Sequence, residues 1–306
     1  MLDPTEALQE NENETPTLHP MRLGDILDTI FSLYRNHLLL FLGIVVVYFF
    51  GNLAKYSLEG FLFGPGLQPL IATIVQIPFA LVSMGGIVVA SAAIYLGRDM
   101  TSGTALRQSL RQFWLILGCH LLWVSPWVIT SLGIVVSIPS TVMNGAWGLI
   151  VMIVLIGLPV SIYIAVRWAF LVTTVLLEEP SVRYALKRSS ELVRGVWWQV
   201  FGVLLLILLL GSAIHIILEV SLGCILILAQ LAGETDFMDI IQWAILNRAI
   251  DSTHLPFYVI MTCIDLVLNT LVYPIGFIGV TLLYFDRRIR TEGFDIEMLV
   301  NNSRAL

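Results

Sequence analysis

The sequence predicts an all-α fold: a polytopic membrane bundle of six transmembrane helices, with amphipathic helices lying along its cytoplasmic face. Three observations predict it. Of the 306 residues, 58% are apolar and 12% are charged, against about 25% charged in soluble domains. Six apolar runs exceed the ~18 residues needed to cross a bilayer. Between them lie short polar segments whose apolar residues recur at helical spacing.

Residues 1–20 carry Asp3, Glu6, Glu10, Glu12 and Glu14 and no Lys or Arg. They are expected to be a disordered acidic tail without a cleavable signal peptide. The membrane domain spans 21–290 and a cytoplasmic tail 291–306. Met21 to His37 is an interfacial helix, with Leu23, Ile26, Leu27, Ile30, Leu33 and Tyr34 on one face and Asp25 and Asp28 opposite. The first span is Leu38 to about Tyr56. Pro69 to Leu96 is the second, and its Gly86-x-x-x-Ala90 spacing permits close helix contact. Gly97 to Gln112 is polar, with Arg98, Arg107 and Arg111. Phe113 to Ile138 is the third span, bent at Pro126, and Pro139 to Gly145 turns the chain. Trp147 to Leu177 is the fourth, interrupted by Gly157 and Pro159.

Glu178 to Trp198 is the longest clearly polar stretch within the membrane region. Val182, Ala185, Leu186, Leu192, Val193 and Val196 form its apolar face, and Arg183, Lys187, Arg188, Glu191 and Arg194 fill the rest. It reads as a basic amphipathic helix on a membrane surface. Trp197 to Leu231 is the fifth span. At ~50 Å it exceeds the ~30 Å of hydrocarbon, so it must tilt, break near Gly211 or project. An acidic loop over 233–255, amphipathic around Phe237 to Leu246, precedes the sixth span, Pro256 to Phe285.

Of the 16 Lys and Arg, all but Lys55, Arg248 and the intramembrane Arg167 fall on the side that holds both termini. This asymmetry predicts cytoplasmic N- and C-termini in the cell (inner) membrane. Thr104-Ala105-Leu106-Arg107-Gln108-Ser109 matches Tyr184-Ala185-Leu186-Lys187-Arg188-Ser189 at an offset of eighty, and Asp25-Ile26-Leu27-Asp28 lies seventy-nine further upstream. Each copy precedes two spans, which reads as a three-fold internal repeat.

Leu23-Gly24-Asp25-Ile26-Leu27-Asp28, Glu179-Pro180-Ser181 with Ala185-Leu186-Lys187-Arg188-Ser189, and Leu282-Leu283-Tyr284-Phe285-Asp286 with Arg288-Ile289-Arg290 together resemble the membrane domain of some bacterial glycerophosphodiester phosphodiesterases. The resemblance covers about residues 21–297. That family's hydrolytic activity belongs to a separate barrel domain with a His-Arg pair and metal-binding carboxylates, and nothing here matches it. The resemblance therefore implies a bacterial membrane module without the enzyme.

The leading expectation is a non-catalytic module, with no cofactor and no metal. It would organise another membrane protein or anionic lipids at the cytoplasmic face through Arg183, Lys187, Arg188, Arg194, Arg107 and Arg111. The same cations would also satisfy the positive-inside rule with no ligand at all. Asp25, Asp28, Arg167 and Asp286 are structural candidates, with Asp25 and Asp28 expected to pair with Arg183 or Arg188. Arg167, placed ~16 Å below the surface by helical rise, is expected to face the bundle. The alternative is a transporter or channel using His120, Arg167, Asp265 and Asn269. His215 and Glu219 share a helix face suited to a metal or proton, but depth sets them apart from His120 and places Glu219 near solvated headgroups. No nucleotide loop, metal-spaced cysteine cluster, nucleophile elbow or nucleic-acid motif is present. The free-standing cysteines Cys119, Cys224 and Cys263 read as core residues.

Overall fold

The computed structural model describes residues 21–61, 68–144, 147–228, 237–238, 240–241 and 255–293. The acidic tail over 1–20, most of the 233–255 loop and the tail beyond 293 lie outside the described residues.

The chain forms α1 (Leu23–Asn36), α2 (Leu38–Phe61), α3 (Gln68–Tyr95), α4 (Ser102–Arg111), α5 (Phe113–Asn144), α6 (Trp147–Arg167), α7 (Leu171–Leu177), α8 (Val182–Val193), α9 (Trp197–Leu228) and α10 (Leu255–Glu292). Among the described residues, six helical stretches are long and apolar enough to cross a membrane. The protein is a multi-pass helical membrane protein.

The three short amphipathic helices repeat the same burial. Ile26, Ala105 and Ala185 are at most 2% exposed, and one turn later Ile30, Ser109 and Ser189 are fully buried. These are the positions the seventy-nine and eighty residue offsets equate. Each helix starts on a polar cap. Asp25 accepts the backbone N–H of Arg22 at 2.8 Å. Thr101 and Thr104 exchange hydroxyl-to-backbone bonds at the start of α4, and Ser181 accepts the Tyr184 N–H at the start of α8. Such caps satisfy N–H groups that the helix itself leaves free.

α3 and α10 form the centre. The apolar window of α3 is 72% buried and that of α10 56%, against 6% for α5 and 11% for α9. Gly85 and Gly86 let α3 approach its neighbours. A Cβ on Gly85 would lie 2.3 Å from Ser109 Oγ of α4, and one on Gly86 3.0 Å from Ile44 of α2. Ser109 donates to the carbonyl of Val82 across this contact at 2.9 Å. α5 and α6 pair as a hairpin through Thr130 and Ser161, whose hydroxyls lie 3.0 Å apart, and both donate to the Pro126 carbonyl. Hydroxyls of this kind join helices where water is absent.

Several boundaries differ from the sequence expectation. α5 runs unbroken through Pro126 and past Pro139 to Asn144. The carbonyl of Leu122, left free because Pro126 has no N–H, accepts the Ser125 hydroxyl at 2.7 Å. α6 continues through Gly157 and Pro159, and the fourth span breaks instead at 168–170. α9 is continuous across Gly211. α10 extends beyond Phe285 through Arg290 to Glu292, because the polar groups there are paired and enclosed.

Candidate functional site

α1, α4 and α8 lie at one end of the bundle, here termed the basic face. The end of α10 holds α1 and α8 there, and α4 packs on α2 and α3. Asp286, 1% exposed, accepts the backbone N–H of Met21 at 2.9 Å and the guanidinium of Arg290 at 2.9 Å. Arg290 in turn donates to the Met21 carbonyl at 2.6 Å. Tyr95, the last residue of α3, packs on Phe285 with ring centroids 5.1 Å apart.

A second network centres on Glu178, between α7 and α8. Its carboxylate accepts Tyr184 at 2.8 Å, Arg188 Nε at 2.9 Å and the Tyr284 hydroxyl. Arg188 also donates to Glu292 at 2.7 Å, and Arg288 Nε lies 3.3 Å from the same carboxylate. Burial pushes the Glu178 carboxyl up, but the bonds from Tyr284, Tyr184 and Arg188 outweigh it and hold the group below the usual glutamate range. The Tyr184 phenol is raised, first by its bond to Glu178. Arg188 is held charged, chiefly by its bond to Glu292.

These networks correct two expectations. Arg188 is not a free surface cation: its side chain is 18% exposed and is shared by two carboxylates. Asp25 caps its own helix and Asp28 is exposed. The first and third repeats are tied instead by Glu178, Asp286 and Glu292, because the extended α10 reaches both α1 and α8. Glu178 marked the start of a polar stretch, and Tyr284 and Glu292 stand in or beside the motifs that carry the resemblance, but the sequence assigned none of them a role. The available signal was a Glu closing an apolar run and Arg and Glu continuing at helical spacing past Phe285.

Arg183, Lys187 and Arg194 on or beside α8, and Arg107 and Arg111 on α4, are exposed. Lys187 is 80% exposed and reaches Glu191 only at 3.8 Å. Arg167 does not face the bundle. It is exposed, at the last turn of α6, and donates to the Tyr163 hydroxyl at 3.4 Å. Its carbonyl accepts the buried Ser189 hydroxyl of α8 at 2.9 Å. The break at 168–170 thus brings Arg167 to the level of α8, where rise counted along one unbroken span had placed it deeper.

Between α3, α5, α7, α9 and α10, at the break at 168–170, lies an apolar cavity of about 360 Å³, lined by Met84, Cys119, His120, Trp168, Phe201 and Phe277 among others. Trp123 and Leu208, also in its wall, are 38% and 64% exposed, so it borders the outer surface of the bundle. Arg167 flanks it through Tyr163, which stacks on Trp197, which stacks on Phe201.

The far half of the bundle holds a different polar group. Asp265 of α10 accepts Asn269 at 2.6 Å and the Tyr56 hydroxyl. His215 of α9 places Nε2 3.2 Å from Asp265 Oδ1 and Nδ1 3.5 Å from Glu219 Oε2. Glu219 is 2% exposed, not solvated at headgroups, because Asp265 and His215 enclose it with polar atoms. Nearby, Gln76 donates to Asn52, and Tyr48 stacks on Tyr273 at 3.8 Å. Asp265 is twenty-one residues before Asp286 on one helix, ~31 Å along its axis. The proposed transport set is therefore divided. Asp265 and Asn269 sit together, His120 lines the cavity, and Arg167 lies at the basic face.

No protein-family model matches the chain, and no curated protein or solved structure is similar to it.

Proposed function

We propose that the protein is a non-catalytic module of the cell membrane, with both termini cytoplasmic, that holds an anionic lipid at its basic face. The observation that carries this reading is a division among the cations of α8. Arg188 turns inward to Glu178 and Glu292, while Arg183, Lys187 and Arg194 stay exposed. Exposed cations at a bilayer surface each add about 1 kcal/mol of attraction to anionic headgroups. Asymmetric placement of Lys and Arg supports the cytoplasmic side for this face. The cavity beside the break at 168–170 supports the same reading. Its lining is apolar and aromatic, it borders the outer surface of the bundle, and it includes Val166 and Trp168 on either side of the exposed Arg167. That combination fits an acyl chain below and a phosphate above.

Extraction of the tagged protein in polymer-bounded lipid discs, followed by mass spectrometry of co-isolated lipids, tests the reading. Wild type should be enriched in anionic lipid over the bulk membrane. Arg183→Gln, Lys187→Gln and Arg194→Gln combined should remove the enrichment. Bulk lipid composition in both samples contradicts the proposal, and a near-stoichiometric protein partner lost with the same charges would replace lipid by protein as the occupant.

A further inference from the structure

Two neighbouring helices bring three metal-ligating side chains together in the far half of the bundle. His215 and Glu219 are one turn apart on α9, and Asp265 faces them from α10. Taking one ligand atom from each, the three atoms lie within 4.8 Å of one another. Their side chains are 17%, 2% and 11% exposed. We propose that His215, Glu219 and Asp265 bind a divalent transition-metal cation.

Charge is the first argument. Two carboxylates enclosed in an apolar membrane bundle carry a large desolvation cost, and the one imidazole that faces both of them, even when protonated, offsets only one of the two charges. A divalent cation would cancel both charges at once. The second argument is the imidazole. Nε2 is buried, finds no well-aligned hydrogen bond among the described residues, and lies 3.2 Å from Asp265 Oδ1, the spacing of two donors that share an ion. A buried ring nitrogen left in this way is what a metal ligand needs to be. The third argument is the support around the ligands. Asp265 is held by Asn269 and by the Tyr56 hydroxyl, the second layer of hydrogen bonds that orients ligating carboxylates.

The donor set selects the ion. One imidazole nitrogen with two carboxylate oxygens suits zinc and its first-row neighbours rather than calcium or magnesium, which prefer all-oxygen shells. Metal bonds of about 2.0–2.2 Å set ligand atoms about 3.2–3.6 Å apart in a tetrahedral site, and the His215–Asp265 pair that joins α9 to α10 already stands at 3.2 Å. The site lies ~30 Å from the basic face, so it stands independently of lipid binding there.

Zinc alone is the probe. The full chain, purified in lipid discs and stripped with chelator, is equilibrated with Zn²⁺ and its metal content measured by mass spectrometry. Wild type should retain about one zinc per chain. His215→Gln and Asp265→Asn should bind at least tenfold more weakly, and Glu219→Gln gives a third variant should either fail to fold. Cobalt(II) supplies a separate readout, a visible absorption band that depends on His215. Wild type that retains no more zinc than the variants, or a cobalt spectrum unchanged by His215→Gln, overturns the proposal.

Discussion

Arg188 of α8 donates to Glu292, the last residue of α10, across 2.7 Å. The same guanidinium reaches back to Glu178 at 2.9 Å. One side chain therefore joins the corner after the fourth span to the end of the sixth.

Removing that side chain should destabilise the fold. Arg188→Gln leaves Glu178 and Glu292 with Arg288 as their shared cation, at 3.7 Å and 3.3 Å, and the loss should approach the lower end of the about 3–5 kcal/mol that breaking a buried pair costs. Lys187→Gln, one residue away but 80% exposed, should change stability by less than about 0.5 kcal/mol. Thermal unfolding of the two variants in the same discs measures the contrast.

Acid should release the Glu178 network. The folded carboxyl is held below its ordinary value, so the stability it contributes is complete above the unfolded glutamate value of about 4.3 and is lost as pH falls through the lower folded value. Melting temperature of the wild type should therefore fall on acidification below that point. Glu178→Gln should start lower at neutral pH and show a shallower acid dependence, read by melting curves across the range.

Asp286 makes a parallel prediction for the start of the chain. Asp286→Asn keeps the shape but removes the charge that pairs with Arg290 and holds Met21. Amide exchange in α1 should accelerate by more than tenfold while the centre of α3 stays protected. Equal acceleration in both would mean that α1 does not open separately.

Close packing around α3 gives a prediction with an internal control. Gly85→Ala would press a Cβ to 2.3 Å from Ser109 Oγ and 2.8 Å from Ile116, a crowding worth about 1–3 kcal/mol. Gly103→Ala in α4 meets nothing within 4 Å and should be neutral or stabilising by up to about 1 kcal/mol. Relative melting temperatures decide it.

The architecture was legible because hydrocarbon permits few solutions. Long apolar runs give spans, and polar stretches with helical periodicity give the surface helices α1, α4 and α8. Ala105 and Ala185, eighty residues apart, also marked the repeat that burial displays. The details that misled were local. Pro159 read as an interruption and Pro126 as a bend, yet both helices continue, and a hydroxyl such as that of Ser125 serves the carbonyl that proline frees. Arg167 was placed by counting rise along one helix, and the break at 168–170 carries no proline or glycine to announce it. Asp265 was visible as an intramembrane acid, but its meeting with His215 joins helices fifty residues apart, and spacing along one helix cannot show that.

The central claim is that the exposed cations of α8 serve lipid while Arg188 serves the fold. Melting of purified protein in detergent, with and without an added anionic phospholipid, tests it most directly. Wild type should gain several degrees from the anionic lipid and none from a zwitterionic one, and the gain should shrink in high salt. The Arg183→Gln, Lys187→Gln, Arg194→Gln variant should melt where lipid-free wild type does and gain nothing. An equal gain in the variant would contradict the account.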